Sequence, residues 1–302
     1  MIDKLEFLIA LARERNFSRA ADSCGVTQPT LSAGIKQLED TLGVLLVNRS
    51  SRFYGLTAEG ERVLEWARRI VSDARAMRQD VHASKTALAG HLTIAAVPTA
   101  LPMAAELTAP FRAKHPRVRF TILSSTSRDI LSMLDDFRID AGLTYLDNEP
   151  LGKLHTVPLY RERYELLTSA GSPLAERAEV TWADTGCIPI CLLTPDMQNR
   201  RIIDRLLGNS AAPPPVESNS MVVLFSHARS GGYACIVPEK LAKLLGVSEP
   251  LRSIPITEPR ELYTIGLVWP HREPVPPLTR ALVAEADRVA MPQKQGSGRN
   301  TC

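Results

Sequence analysis

The residues of this chain best suited to chemistry gather first in TQPTLSAGIKQLEDTL, residues 27–42. As a helix with Pro29 in its first turn, this stretch puts Gln28, Thr30, Ser32, Ala33, Lys36 and Gln37 on one face, while Leu31, Ile35, Leu38 and Leu42 recur as a buried stripe on the other. Short amide and hydroxyl groups with a single cation suit the base edges of a DNA major groove. Base reading is expected from Gln28, Thr30, Ser32 and Pro29. Lys36, Arg49 and Arg52 are expected to hold phosphates or the minor groove. Ser18 and Thr27, which head the two helices of this region, complete the candidate DNA contacts.

A second group of polar residues lies at strand-to-helix loops further along: Thr99 and Ala100; Ser125, Thr126 and Ser127; Thr144 at a strand end; Met197, Gln198, Asn199 and Arg200; Asn219 and Ser220. Ligands of open α/β sheets sit beyond the carboxyl ends of strands, where helix N-termini attract anions. Each loop also reads as simple capping, since Ser127, Asp196 and Asn219 are all good N-caps. Convergence from two lobes is what would make a binding cleft. The small number of aromatic residues near these loops points away from a large aromatic ligand. Catalytic patterns do not present themselves. The six histidines, His82, His91, His115, His155, His227 and His271, show no HExxH spacing, and GxSxG, GxGxxG and GxxxxGK[ST] are missing from the sequence. His227, between apolar neighbours, reads as structural.

These groups need elements to position them. Leu5–Arg15 reads as a first helix, with Leu5, Leu8, Ile9 and Ala12 on one face. A helix capped by Ser18 and stopped by Gly25 follows, with Val26 plugging the corner before Thr27 caps the next. Gly43 ends that helix, and VLLVNRSSRFYGL reads as a two-stranded wing leading to a start at Thr57. From Ala58 to about Ser84, Val63, Ala67, Ile70, Ala74, Met77 and Val81 form a heptad seam flanked by charges. That helix either lies on its own domain or pairs with a second copy. A pair would set two DNA-reading helices about 34–36 Å apart, one turn of duplex. After Gly90, strands Leu92–Val97, Val118–Leu123 and Ala141–Tyr145 alternate with helices Leu101–His115 and Ser127–Phe137, the pattern of a parallel, doubly wound sheet. Strands near 164–169, 188–193 and 234–237 form a second set, with helices near 197–207, 219–229 and 238–245; Leu262–Trp269 and Pro277–Ala290 are expected to return to the first sheet.

Bulk properties set the frame. The chain has 302 residues, 44% hydrophobic and 23% charged, so two or three ordinary globular domains are expected. Its net charge of +3 is too small to argue for nucleic acid by itself. Cys24, Cys187, Cys191, Cys235 and Cys302 form no CxxC pair, and Cys187 and Cys191 read as core thiols. No metal or cofactor is expected. The amphipathic, charge-broken N-terminus is no signal peptide, no apolar run reaches the ~18–20 residues of a membrane span, and a reducing cytoplasmic setting is expected.

The hairpin FSRAADSCGVTQPTLSAGIKQLEDTLG, the wing NRSSRFYGLTAEG, the heptad helix, RIDAGLTYL and ARSGGYACIVP together resemble the LysR-type transcriptional regulators over nearly the whole chain. The resemblance implies an N-terminal all-α winged helix-turn-helix (1–58), a dimerising linker helix (59–89) and a two-lobed, periplasmic-binding-protein-like α/β effector domain (90–292). Lobe I would take about 90–161 and 267–292, lobe II about 162–266, and 293–302 would be a disordered tail. It further implies a dimer of dimers on operator DNA that switches on a small anionic metabolite, a carboxylate, with RNA polymerase as a candidate further partner and no membrane. A fainter resemblance to regulators of formate-metabolism operons extends the expectation to a very small acid. Where the family commonly carries an arginine after Ser32, this chain has Ala33 and Gly34, which removes a guanine reader and weakens the helix by about 1 kcal/mol. Two alternatives remain: an enzyme with an appended DNA-binding domain, and a DNA-binding head joined to a domain that only oligomerises.

Overall fold

Residue Asn16, rather than Ser18, starts the helix that fixes the hairpin: its Oδ1 accepts the Arg19 N–H at 3.0 Å, and Ser18 lies exposed in the first turn. The computed structural model describes residues 1–49, 53–83, 88–147, 149–208, 212–246, 250–258 and 261–290. It divides into two compact units, Met1–Leu88 with Asp135–Arg138, and Ala89–Leu134 with Ile139–Cys302.

The first unit begins with α1 (Ile2–Glu14), α2 (Phe17–Ser23) and α3 (Gln28–Leu42). Gly25 takes φ +67°, the left-handed backbone that lets α2 stop and the chain turn. Val26 packs on the core, and Thr27 caps α3 by accepting the Thr30 N–H, with Pro29 in the first turn. Leu31, Ile35 and Leu38 bury against Leu5, Leu8, Leu11, Ala20 and Ala21. The stripe stops there: Leu42 is 44% exposed, against the expectation that it would be buried. The last turn instead turns Glu39 inward, where Oε1 accepts the N–H groups of Leu46 and Val47 at 2.9 and 3.2 Å. This ties α3 to the wing, β1 (Val47–Arg49) paired antiparallel with β2 (Phe53–Leu56).

The helix α4 (Ala58–Ala83) starts where expected, with Thr57 Oγ1 accepting the Gly60 N–H at 2.9 Å. Its seam divides. Leu64, Ala67 and Val71 bury in the core of the first unit beside α1, whereas Trp66 (64% exposed), Ile70, Met77 (62%) and Val81 face outward. A 3.6-residue period cannot keep one heptad row on a single face of a straight helix, so the helix shows two apolar faces.

The second unit holds two five-stranded sheets. One contains β3 (Gly90–Ala96), β4 (Val118–Ser124), β5 (Ala141–Tyr145), β6 (Leu154–Glu162) and β12 (Tyr263–Pro270) in the order β4-β3-β5-β12-β6. The pairs β3–β4 and β3–β5 are parallel and β12 is antiparallel to both neighbours. The other contains β7 (Tyr164–Ser169), β8 (Ile190–Leu193), β9 (Val216–Ser218), β10 (Ala234–Pro238) and β11 (Leu251–Pro255) in the order β11-β7-β10-β8-β9. Helices α5 (Leu101–Lys114), α6 (Ser127–Asp135) and α11 (Pro277–Val289) belong with the first sheet. Helix α7 (Trp182–Thr185) precedes β8 in the chain, and α8 (Gln198–Leu207), α9 (Met221–Arg229) and α10 (Glu239–Leu245) go with the second sheet. Strands β6, β9 and β11 are additions to the expected set. β6 reads LHTVPLYRE, whose charges and proline mask its period, and β9 and β11 are short. The strand that returns to the first sheet, Tyr263–Pro270, lies within a residue of the expected Leu262–Trp269. Among the described residues no helix is long and apolar enough to cross a membrane. The expected tail, 293–302, lies outside the described residues.

Gly34, expected only to weaken α3, has a packing reason. A Cβ there would lie 2.6 and 2.8 Å from Cδ2 and Cε2 of Phe7 on α1. Gly34→Ala is therefore expected to lower the thermal stability of the protein, although helix propensity alone would raise it by about 1 kcal/mol. In a Phe7→Leu background the same change is expected to stabilise. A double-mutant cycle by denaturant unfolding checks this reversal of sign, and a gain in both backgrounds would refute the contact.

Candidate DNA-binding face and buried polar cluster

On α3, Gln28, Pro29, Thr30, Ala33, Lys36 and Gln37 are exposed and Ser32 is half-buried. The Thr30 hydroxyl lies 2.8 Å from the Thr27 hydroxyl, so both are engaged in starting the helix. The free N–H groups of that first turn and the dipole of α3 point out beside Gln28. Arg49 falls in β1, and Arg52 lies outside the described residues. The face is thus neutral and hydrogen-bonding, with Lys36 its cation.

In the second unit the chain passes from the first sheet to the second with only Arg163 between β6 and β7. Glu162, the last residue of β6, is 1% exposed and sits at this crossing. Its Oε2 accepts the hydroxyl protons of Tyr145 (2.6 Å, first sheet) and Tyr164 (3.3 Å, second sheet). Asn199 Nδ2, from the first turn of α8, donates to both tyrosine oxygens at 3.2 and 3.3 Å, and the Thr99 hydroxyl lies 3.3 Å from Tyr145. Burial pushes the Glu162 carboxyl up to about 7, against the opposing pull of the hydroxyls of Tyr145, Thr99 and Tyr164. Burial likewise raises Tyr145 and Tyr164 well above the usual phenol range.

Besides Glu162 Oε1, the same unit holds further buried polar atoms with no hydrogen-bond partner: Thr144 Oγ1, the chain neighbour of Tyr145; both amide atoms of Gln198, the chain neighbour of Asn199; Ser127 Oγ; and Thr194 Oγ1. Ser127 does not act as the expected cap, because Thr126 takes that role by accepting the Asp129 N–H at 3.1 Å. The Ser127 hydroxyl is thereby released. Asp196 does not cap α8, since Met197 holds that position without a side-chain bond, and Ser220 rather than exposed Asn219 precedes α9. Ala100 and Met197 are buried, and Ser125 is half-buried with its N–H on the Ala96 carbonyl. Arg200 is already satisfied by Asp204 (2.7 Å), Glu217 (2.5 Å) and the Leu193 carbonyl (2.8 Å). Of the expected residues, Thr99 and Asn199 meet in the cluster, Ser127, Thr144 and Gln198 carry unbonded buried groups, and Asn219 is exposed. Glu162, Tyr145 and Tyr164 are members that sequence reasoning does not single out. Tyr145 lies in plain view at a strand end, but Glu162 is hidden in YRERYE, which reads as a solvated charge run.

The two sheets are also linked by ion pairs and hydrogen bonds: Arg201 to Glu149 (2.5 Å), Arg205 to the Tyr263 hydroxyl (2.5 Å) and Lys240 to Glu106 (2.8 Å). An open groove of about 380 Å³, between Arg163–Glu165 and the segment that leads from β11 to β12, is lined by Glu165, Glu179, Glu239 and Glu261 against Arg163, which disfavours an anion there. Among the described residues no three His, Cys, Asp or Glu side chains gather to hold a metal ion. Cys191 and Cys235 are buried on neighbouring strands with thiols raised by burial, whereas Cys187, expected in the core, is exposed.

A winged helix-turn-helix joined to a two-sheet α/β domain with a polar centre defines a DNA-binding protein with a ligand-responsive domain. Residues 2–61 match the model for the bacterial regulatory helix-turn-helix protein of the lysR family, and residues 85–290 match the LysR substrate binding domain. The chain belongs to the LysR family: it is a DNA-binding, ligand-responsive transcription regulator and not an enzyme. It is 28% identical over 296 residues to the DNA-binding transcriptional dual regulator OxyR of Escherichia coli K12, covering 96% of this chain and 95% of that one. It is 27% identical over 274 residues to the hydrogen peroxide-inducible genes activator of Dickeya chrysanthemi, covering 89% and 88%. Among solved structures it is similar to a cysteine-to-aspartate variant of full-length OxyR from Pseudomonas aeruginosa, with a TM-score of 0.77, 26% identity and 98% of each chain covered. It also shares the fold of full-length CbnR complexed with its target DNA, with a TM-score of 0.67, 21% identity, and 96% and 100% covered.

Glu162→Gln is expected to alter how stability depends on pH. A carboxyl raised from 4.5 to about 7 by folding contributes most below pH 4.5, and that contribution is lost as pH rises through 7. Relative to the parent, the variant should therefore gain up to about 3 kcal/mol between pH 5 and pH 8. Thermal unfolding of both proteins across that range checks it; a constant difference would show that Glu162 does not titrate there.

Proposed function

We propose that this chain binds operator DNA as a dimer of dimers and switches when a small carboxylate, as small as formate, enters the polar centre of its effector domain. The observation that carries the effector reading is the set of buried, unbonded polar groups: Ser127 at the start of α6, Gln198 at the start of α8 and Thr144 beside Tyr145 on β5. Hydroxyls, an amide and the N-terminus of a nine-residue helix suit a carboxylate that bears little else. Thr99, Ala100, Ser125, Thr126, Met197 and Asn199 would shape the site. Arg200 would act by holding α8 to β9 rather than by touching the ligand, and Asn219 and Ser220 would contribute from its edge. The pairing reading rests on Trp66, Ile70 and Met77, an apolar row exposed along α4.

The names of the relatives favour a second effector, hydrogen peroxide. The unbonded hydroxyls and amide would also suit so small a donor and acceptor. Thiol chemistry at Cys191 or Cys235 does not suit it, because burial keeps both protonated. Thermal shift of the full-length protein with formate, acetate, oxalate and hydrogen peroxide distinguishes the readings. Stabilisation by an acid that Ser127→Ala abolishes is the expected result; a response to peroxide alone would favour the second.

On DNA, Gln28→Ala is expected to lose about 1–3 kcal/mol of discrimination at particular base pairs. Lys36→Ala and Arg52→Ala should weaken binding to all sequences and flatten the salt dependence. Ile70→Asp should yield monomers and abolish high-affinity binding to promoter fragments from the neighbouring DNA. Gel-shift titrations at several salt concentrations, with light scattering for mass, check all four variants; unchanged binding in every one would refute the assignment.

A further inference from the structure

We infer that the effector site takes up one proton together with its acid, and that Glu162 is where the proton rests; the inference depends on the carboxylate reading above. Every donor in the cluster runs toward one oxygen of this residue. Tyr145 and Tyr164 donate to Oε2, and Asn199 and Thr99 hold those tyrosines in turn. The other oxygen, Oε1, is buried and has no partner, which leaves it as the atom on which a proton can sit.

Among the described residues no counter-ion reaches this carboxyl. The groups that face it are neutral: Tyr145 from β5, Tyr160 from its own strand, Tyr164 from β7, Asn199 from α8 and Thr99 from the turn before α5. Arg161 and Arg163, which flank Glu162 in the chain, are exposed, and the cations of α8 and α10 nearest the crossing are paired, Arg201 with Glu149 among them. Arg200 is held by Asp204 and Glu217, Arg205 by the Tyr263 hydroxyl and Glu261, and Lys240 by Glu106, which with Glu162 acts on Tyr160. A carboxyl that titrates near neutrality can thus take or release its proton without breaking an ion pair.

The ligand groups are close. Thr99 is connected to Glu162 through a single tyrosine oxygen by bonds of 3.3 and 2.6 Å, and Gln198 is the chain neighbour of Asn199. An anion hydrogen-bonded to Thr99 would lie within roughly 9 Å of Glu162, and both residues are buried. At an effective dielectric of about 20, two like charges at that separation oppose each other by on the order of tenfold in affinity. Entry of the acid therefore favours the protonated carboxyl, and the proton entering with it offsets the added charge. Acid sensing and pH sensing become one equilibrium.

The test is isothermal titration of the full-length protein with formate, acetate and oxalate from pH 6 to pH 9, a range in which the acids themselves stay ionised. Repeating the titrations at pH 7.5 in buffers of different ionisation enthalpy counts protons. For the parent, affinity should fall about tenfold over the range, with net proton uptake at pH 7.5. Glu162→Gln should bind at every pH with no slope and no uptake. Should that variant not fold, Tyr164→Phe serves: loss of one donor to the carboxylate should move the midpoint of the slope to higher pH. Acid binding that is independent of pH in the parent, a slope retained in Glu162→Gln, or an unmoved midpoint in Tyr164→Phe would each overturn the inference while leaving the acid reading intact. Absence of binding by any of the acids would overturn both.

Discussion

A carboxyl group buried where one sheet hands the chain to the next is the constraint around which the effector domain is arranged. Glu162 cannot reach water and meets no cation among the described residues, so its hydrogen bonds must come from neutral donors on both sides of the crossing. Tyr145 supplies one from the first sheet and Tyr164 another from the second. Asn199 holds both tyrosines and so brings the first turn of α8 against them. Any change in the angle between the sheets has to stretch these bonds. That couples the geometry of the domain to whatever alters the charge at its centre.

The DNA-binding unit uses a buried carboxylate differently. Glu39 accepts two backbone N–H groups at the start of the wing, so the far end of α3 and β1 move as one piece. At the middle of α3, Phe7 occupies the space that a side chain on Gly34 would need. These contacts fix the helix that presents Gln28 and Lys36, and they do so from the face opposite the one that carries those side chains. Rigid presentation matters because a base contact discriminates only when the reading group is held in register with the base edge.

A division of labour among hydroxyl groups connects local structure to the proposed site. Thr126 caps α6, which frees Ser127 beside it; Thr27 caps α3, and its hydroxyl bonds to that of Thr30 while the amide of Gln28 stays exposed. Adjacent residues of the same chemistry thus serve opposite ends, and capping patterns alone assign the roles the wrong way round at Ser127 and at Ser18. Arg200 gives a parallel case among cations. As a guanidinium beside a helix start it reads as an anion clamp, yet two carboxylates and a carbonyl already occupy it.

Local pattern is enough to place α3, α4, α5, β5, β7 and α11 almost to the residue: the helices carry apolar residues at helical spacing, and β5 and β7 are short apolar runs. Stop signals at Gly25 and Gly43 and the starts at Thr27 and Thr57 are local backbone matters and equally legible. What the sequence by itself determined was therefore the order of elements, the polar face of α3 and the two-sheet plan. Tertiary structure decided the rest. It selected which face of α4 is used internally, turned Glu39 rather than Leu42 toward the wing, and buried Glu162 out of a stretch of charged residues. Those outcomes depend on which distant segments arrive as neighbours, and hydrogen bonds between residues far apart in the chain leave no period for a sequence to show.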